Sequence, residues 1–312
     1  MEFIYRKALR AIGVGVVAVL ALPAMSQQHM KIAGINYTIK TFDVPGALPS
    51  ANSPSAARIS DFGEVVGNYV DSSNKEHGFY KLWNGPVVAP LDDPNGDFGF
   101  SRVSGVNDFG AIAGGYLEST NNLGAFTEHG FVYKKGAFTD VNVGGLETLV
   151  NGINFNGDMV GQAVNATTGL NEAWISIRGR VTYLPDPVNS TFGQAINDFG
   201  AMTLISQNSA GAIQSFYRSA NGKISNITVA GSVSTEVAAL DDFGFAVGQY
   251  VDAAGNHHGF AYQLSNGKSV SVDIPGATQT FLGGLNNLGY ICGHYIDTAG
   301  KAHCYVAYPS FF

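Results

Sequence analysis

The amino-acid sequence predicts an all-β chain folded as a six-bladed β-propeller, built from four-stranded repeats about 45 residues long. Three observations carry this reading. A short turn motif returns six times at near-even spacing. Alternating apolar segments surround it, with turns roughly every 11 residues. A strand left over at the N-terminus fits a vacancy at the C-terminus.

The motif reads Ile59-Ser60-Asp61-Phe62-Gly63 in its first copy and Val106-Asn107-Asp108-Phe109-Gly110 in its second. It returns at Ile153–Gly157, Ile196–Gly200, Leu240–Gly244 and Leu285–Gly289, with successive glycines 47, 47, 43, 44 and 45 residues apart. An Asn or Asp in second place can bond its own backbone, and Gly in fifth place accepts the positive φ of a tight turn.

Each turn joins two strands, A and B. In the first blade B is Val65–Val70, a polar loop follows Asp71, C is His77-Gly78-Phe79-Tyr80, and D runs from Val87 to Leu91. Strand A of the second blade is Ser101–Val106, and the blades begin near residues 56, 101, 148, 193, 236 and 281.

Closure gives an independent check. The last blade has A (Phe281–Leu285), B (Tyr290–Ile296) and C (His303–Tyr308), and no D follows. A closing strand within 37–47 supplies it, because Asp43-Val44-Pro45-Gly46-Ala47 repeats the Asp-x-Pro-Gly-Ala that ends the fifth blade at Asp273–Ala277. Tyr37–Val44 is therefore expected to pair with His303–Tyr308. A ring closed in this way leaves no bare blade edge, whereas an open solenoid would leave both ends incomplete.

Composition agrees. Glycine is 40 of 312 residues against an average near 7%, which disfavours long helices. The 14 Tyr and 20 Phe need a core. A net charge of −7 lacks the basic footprint of a nucleic-acid binder. Residues 1–26 read as an export signal: Arg6, Lys7 and Arg10 precede an apolar run from Ala11 to Leu22, then Pro23-Ala24-Met25-Ser26. That run is shorter than the roughly 20 residues a membrane span needs, and no later stretch qualifies. The expected mature protein, 27–312, is a single acidic propeller domain, secreted or periplasmic, with no transmembrane segment after cleavage.

The combination Ile-Asn-x-x-Gly, Val-Gly-x-Tyr-x-Asp and His-Gly-Phe resembles the bacterial extracellular HAF repeat, over about residues 37–308. His-Gly-Phe stands at 77–79, 129–131 and 258–260, while other blades carry Glu172-Ala173-Trp174, Gln214-Ser215-Phe216 and His303-Cys304-Tyr305. The resemblance implies an exported repeat protein and no defined activity.

Candidate chemistry gathers where strand B meets strand C. An acid ends B and a His opens C: Asp71 with His77, Glu118 with His129, Asp252 with His258, and Asp297 with His303. A local role fits best, a bond across the hairpin that fixes the loop, because a scaffold need repeats with the scaffold. One Asp and one His per blade are too few ligands for a metal, unless neighbouring blades share it. Tyr69, Tyr116, Tyr250 and Tyr295 precede these acids by two residues, whereas blades three and four have Ala163 and Ser206. Those rings either pack between blades or form an arc on which sugars stack.

The loop Asp92-Asp93-Pro94-Asn95-Gly96-Asp97 bunches carboxylates without EF-hand spacing, so it reads as a solvated turn. Cys292 and Cys304 lie on adjacent strands about one pair out of register, either as a disulfide or as two buried thiols. No G-x-S-x-G, H-E-x-x-H, P-loop or C-x-x-C occurs, and no cofactor is expected. The sequence therefore points to an exported module binding a glycan or a cell-surface protein, with an enzyme acting on extracellular polysaccharide as the alternative. Its site belongs on the face carrying the B–C loops and D-to-A crossings.

Overall fold

The computed structural model describes residues 28–310 apart from 49, 51–52, 98, 121–125 and 145–146. The expected export signal, 1–26, lies outside the described residues. All regular elements described are strands, 25 in number. They form six antiparallel sheets, the blades of a propeller. The A strands that line the axis are Ser55–Ile59, Ser101–Val106, Thr148–Ile153, Ser190–Ile196, Ser234–Leu240 and Gln279–Leu285.

The repeated turn behaves as its residues require. Its six glycines have φ between 67° and 88°. Asn107 Oδ1 accepts the backbone N–H groups of Phe109 and Ala111, both at 3.0 Å, and Asn197, Asp241 and Asn286 do the same in their blades. The second glycine signal, Val-Gly in strand B, has a different cause. A Cβ on Gly67 would collide with the carbonyl oxygen of Ser55 and the ring of Phe79. The aromatic residue of strand C thus lies over the glycine of strand B, and Phe131, Trp174, Phe260 and Tyr305 repeat the arrangement over Gly114, Gly161, Gly248 and Gly293.

The core is a series of layers between neighbouring blades. Val66 of blade one packs with Val103, Ile112, Tyr116 and Phe131 of blade two, and Ala113 of blade two packs with Val150, Ile153 and Trp174 of blade three. Burying such side chains stabilises the fold by about 1.5–3 kcal/mol each, so the stabilising contacts follow the ring.

The ring closes as expected. Ile35–Phe42 pairs antiparallel with Ala302–Pro309, placing Phe42 opposite Cys304 and Tyr37 opposite Pro309. A further strand, Gln28–Ile32, folds back on Ile35–Phe42 and gives the last blade five strands. Comparing repeats could not reveal it, because it occurs once.

Cys292 and Cys304 are free thiols, both buried, so the disulfide alternative is not realised. Cys292 faces Val306 while Cys304 faces His294, so the two cysteines sit diagonally across the hairpin. Burial pushes the Cys292 thiol up to about 12. Among the described residues no helix is long and apolar enough to cross a membrane.

Candidate functional site

The acid–His pairs form as the sequence suggests. His Nε2 meets the strand-B acid at 3.4 Å for Asp71, 3.2 Å for Glu118, 3.4 Å for Asp252 and 3.3 Å for Asp297. Each imidazole also lies against the tyrosine opposite it: Tyr69–His77, Tyr116–His129 and Tyr250–His258 at 5.1 Å between centroids, and Tyr295–His303 at 5.3 Å. A partner that motif comparison missed completes three of the four. Asp92, Asp273 and Asp43, the acids ending strand D, meet Nδ1 of His77, His258 and His303 at 2.7, 3.0 and 2.8 Å. For His258 burial opposes the proton, yet the bonds and charges of Asp273 and Asp252 outweigh it and raise its pKa.

These residues clamp the loop. Asp71 Oδ1 accepts the N–H groups of Ser73 and Lys75, and Asp252 and Asp297 hold their loops in the same way. In blade four Asn208 makes the equivalent two bonds without an acid. In blade three the polarity is reversed, with Asn165 Nδ2 donating to Glu172 Oε1 at 2.7 Å. Two chemistries give one bond, which is the signature of a scaffold requirement. The tyrosine rings are largely taken up by packing: Tyr69 is 5% exposed and Tyr116 2%, while Tyr250 and Tyr295 are half-buried.

The carboxylates of the 92–97 loop diverge. Asp92 bonds His77, Asp93 accepts the N–H of Asn95, and Asp97 accepts that of Ser119. Among the described residues no group of three or more His, Cys, Asp or Glu is placed to hold a metal ion.

At the axis the two mouths differ. The mouth formed by the A–B turns is ringed by acids that bond the preceding blade: Asp61 Oδ1 accepts the N–H of Asn287, Asp108 that of Asp61, and Asp242 that of Asp198. Burial, then the neighbouring acids, raise the pKa values of Asp108 and Asp198. The fourth residue of the motif points outward all round the mouth, exposing Phe62, Phe109, Phe155, Phe199, Phe243 and Leu288.

The opposite mouth, on the face of the B–C loops, opens into a cavity of about 410 Å³. Every A strand carries a β-bulge at the same place, for instance between Ala56 and Arg58 and between Val150 and Gly152. The extra residue at a bulge leaves the ladder and can be aimed sideways. Ala57, Ser104, Asn151 and Gln194 reach the cavity wall in this way, joined by Asn68 and Gln162 from strand B. Gln207 and the apolar side chains of Phe192, Ile205 and Ile213 form the rest of one wall.

Arg58 lies at the floor. Its Nη1 donates to the carbonyls of Ala57 and Gly283 at 2.8 and 2.9 Å, and Nη2 donates to Gln194 at 2.7 Å. One guanidinium thus ties the bulges of blades one, six and four. Motif comparison passed over it, but the signal is present: the corresponding residues of the other blades are Gly105, Gly152, Ala195, Ala239 and Gly284. Those are small because the strands crowd the axis, where a Cβ on Gly284 would come within 2.9 Å of the Arg58 α-carbon.

No family model matches the sequence. No curated protein matches it either. Among solved structures the chain is similar to TolB from Acinetobacter baumannii, at 13% identity over 85% of this chain and 66% of that one, with a TM-score of 0.48. It is similar to a variant of the Aleuria aurantia lectin in complex with Fucalpha1-6GlcNAc, at 11% identity over 83% and 93% of the two chains and a TM-score of 0.51. AofleA from Arthrobotrys oligospora is similar over 86% of both chains, at 9% identity and a TM-score of 0.54. At these identities the likeness to the latter two shows a shared fold and nothing finer.

Proposed function

We propose that this protein is an exported binding module that takes a glycan in the funnel on its B–C-loop face. One observation carries the reading: neutral side-chain amides of Asn68, Asn151, Gln162, Gln194 and Gln207 converge on one cavity beside the ring of Phe192. Amides both donate and accept hydrogen bonds, as sugar hydroxyls do, and an aromatic ring suits the apolar face of a sugar. A longer glycan leaving the funnel would next meet the half-buried rings of Tyr250 and Tyr295. Assignment to HAF-type repeats and export of the chain belong to the same proposal. The likeness to a lectin bound to a fucosyl saccharide supports it at the level of architecture.

A polysaccharide-cleaving enzyme would need two carboxylates flanking the scissile bond. The cavity wall offers Glu236, whose Oε2 accepts the Gln249 amide at 2.7 Å. Glu128, which burial and then Glu147 push up to about 7, is a poised acid outside that wall. The test is a glycan array probed with residues 27–312, followed by a reducing-end assay on every retained polysaccharide. The reading expects retention without release of reducing ends. Release from a retained chain would overturn it in favour of the enzyme.

A further inference from the structure

The central channel holds a positive charge without a partner. Arg58 forms no ion pair with any described carboxylate, although the mature chain is acidic. Of the five N–H groups of a guanidinium, three are taken by the carbonyls of Ala57, Gly283 and Gln194. Two remain: one on Nη2, and the one on Nε, which is buried without a hydrogen-bond partner. Arg58 nevertheless retains accessible surface, and it lines the funnel on the B–C-loop side. Burial lowers its pKa to about 10, still well above neutrality, so the charge stays.

Of the other charges of the wall, Arg102 is ion-paired, whereas Glu236 bonds a neutral amide and keeps its charge. Arg102 Nε donates to Glu76 at 3.1 Å, and Glu236 accepts the Gln249 amide. A buried charge is costly unless it is paired and hydrogen-bonded. The free funnel satisfies the hydrogen bonding in part and leaves the charge unbalanced.

We infer that the funnel recognises an acidic sugar of the hexuronate class, its carboxylate on the free Nη2 N–H of Arg58 and its hydroxyls on the amides of Asn151, Gln162 and Gln207. The inference rests on the glycan reading and narrows it to one class. A carboxylate matches one guanidinium in charge and makes a charge-assisted hydrogen bond to it. A phosphate dianion would call for a second cation, and Arg102 is already taken by Glu76.

The test titrates residues 27–312 calorimetrically with D-glucuronate and D-galacturonate, and in parallel with D-glucose and D-galactose. At least one uronate should bind about tenfold or more tighter than its neutral counterpart, with an advantage that shrinks in high salt. Because Arg58 also ties three blades, Arg58→Gln alone could fail through misfolding. Gln194→Glu is the second variant: it sets a carboxylate beside the guanidinium and leaves the backbone carbonyl that Arg58 uses. It should abolish the uronate preference while keeping the melting temperature. Equal binding of neutral and acidic sugars overturns the inference and leaves the glycan reading standing. Binding of a short peptide through its free C-terminal carboxylate, with no sugar bound, overturns both.

Discussion

The backbone N–H of Asn287 donates to Asp61 Oδ1 at 2.8 Å, joining residues 226 apart in sequence and locking the last blade to the first. Asn286 Nδ2 reinforces it, donating to the Ser60 carbonyl at 2.8 Å. The same pair of bonds links blades three and four, where Phe155 N–H meets Asp198 and Asn154 Nδ2 meets the Asn197 carbonyl. The turn motif that marks the repeat is therefore also the clasp between repeats.

That clasp makes Asp198 a sensitive probe. Burial raises its pKa, the bond from Phe155 lowers it, and Asp242, Asp108 and Asp61 raise it further. An acid whose folded pKa is raised binds its proton more tightly folded than unfolded, so ionisation with rising pH costs stability. Asp198→Asn keeps the acceptor oxygen, as Asn287 does for the N–H of Asp242. It should raise the melting temperature at neutral pH, with the gain fading as pH falls through the raised folded pKa and gone below the unfolded value of about 3.9. Asp198→Ala loses the acceptor and should cost about 1 kcal/mol. A pH series of thermal melts separates the two.

The closing strand should contribute as much as any internal strand. Ile39 and Phe42 are buried in the inter-blade layers, whereas Ile35 of the same strand is 48% exposed. Ile39→Ala should cost about 2–5 kcal/mol in denaturant unfolding, while Ile35→Ala should stay within about 0.5 kcal/mol. Deleting 27–47 should destabilise the whole ring cooperatively. An unchanged midpoint for the deletion would contradict closure by this strand.

Blade five offers a titration. The His258 pKa should lie above the ordinary histidine value when followed by NMR, and Asp273→Asn should bring it down. Asp252, held by Asn256 and His258, titrates at about 2. The two ends of the clamp therefore fail in opposite directions of pH change. A raised histidine pKa gives stability that is full below its unfolded value and lost as pH rises through the folded one. A depressed carboxylate pKa gives stability present above its unfolded value and lost as pH falls through about 2.

Thiol counting tests the cysteines. Both are buried, and burial raises the pKa of each. The folded protein should be inert to a thiol reagent, and unfolding without reductant should release two thiols. Protein unfolded from an oxidising compartment with no reactive thiol would contradict the diagonal register.

The fold was legible because its code is periodic. The tight turn recurs in six blades, and the strand-B glycine under the strand-C aromatic recurs in five, Leu204 standing opposite Phe216 in blade four, so repetition exposes both. The acid–His clamps were legible for the same reason. What occurs once was not. Gln28–Ile32 has no counterpart in other blades. Asp92, Asp273 and Asp43 end a different strand from the histidines they hold. Arg58 stands where five blades need Gly or Ala, a break in symmetry that the motif's constant positions overshadow. The tyrosine arc was visible in sequence, but the burial of Tyr69 and Tyr116 depends on packing between blades.

The central claim is that the ligand enters the funnel, and Gln207→Trp tests it most directly. Gln207 lies on the funnel wall, and among the described residues its side chain makes a long contact with the Gly211 carbonyl at 3.5 Å. An indole there fills the cavity with little cost to the fold. Calorimetric titration of wild type and variant should be carried out with the glycan best retained on the array. A loss of affinity of about tenfold or more at an unchanged melting temperature is predicted. Equal affinity in the two proteins would contradict the account.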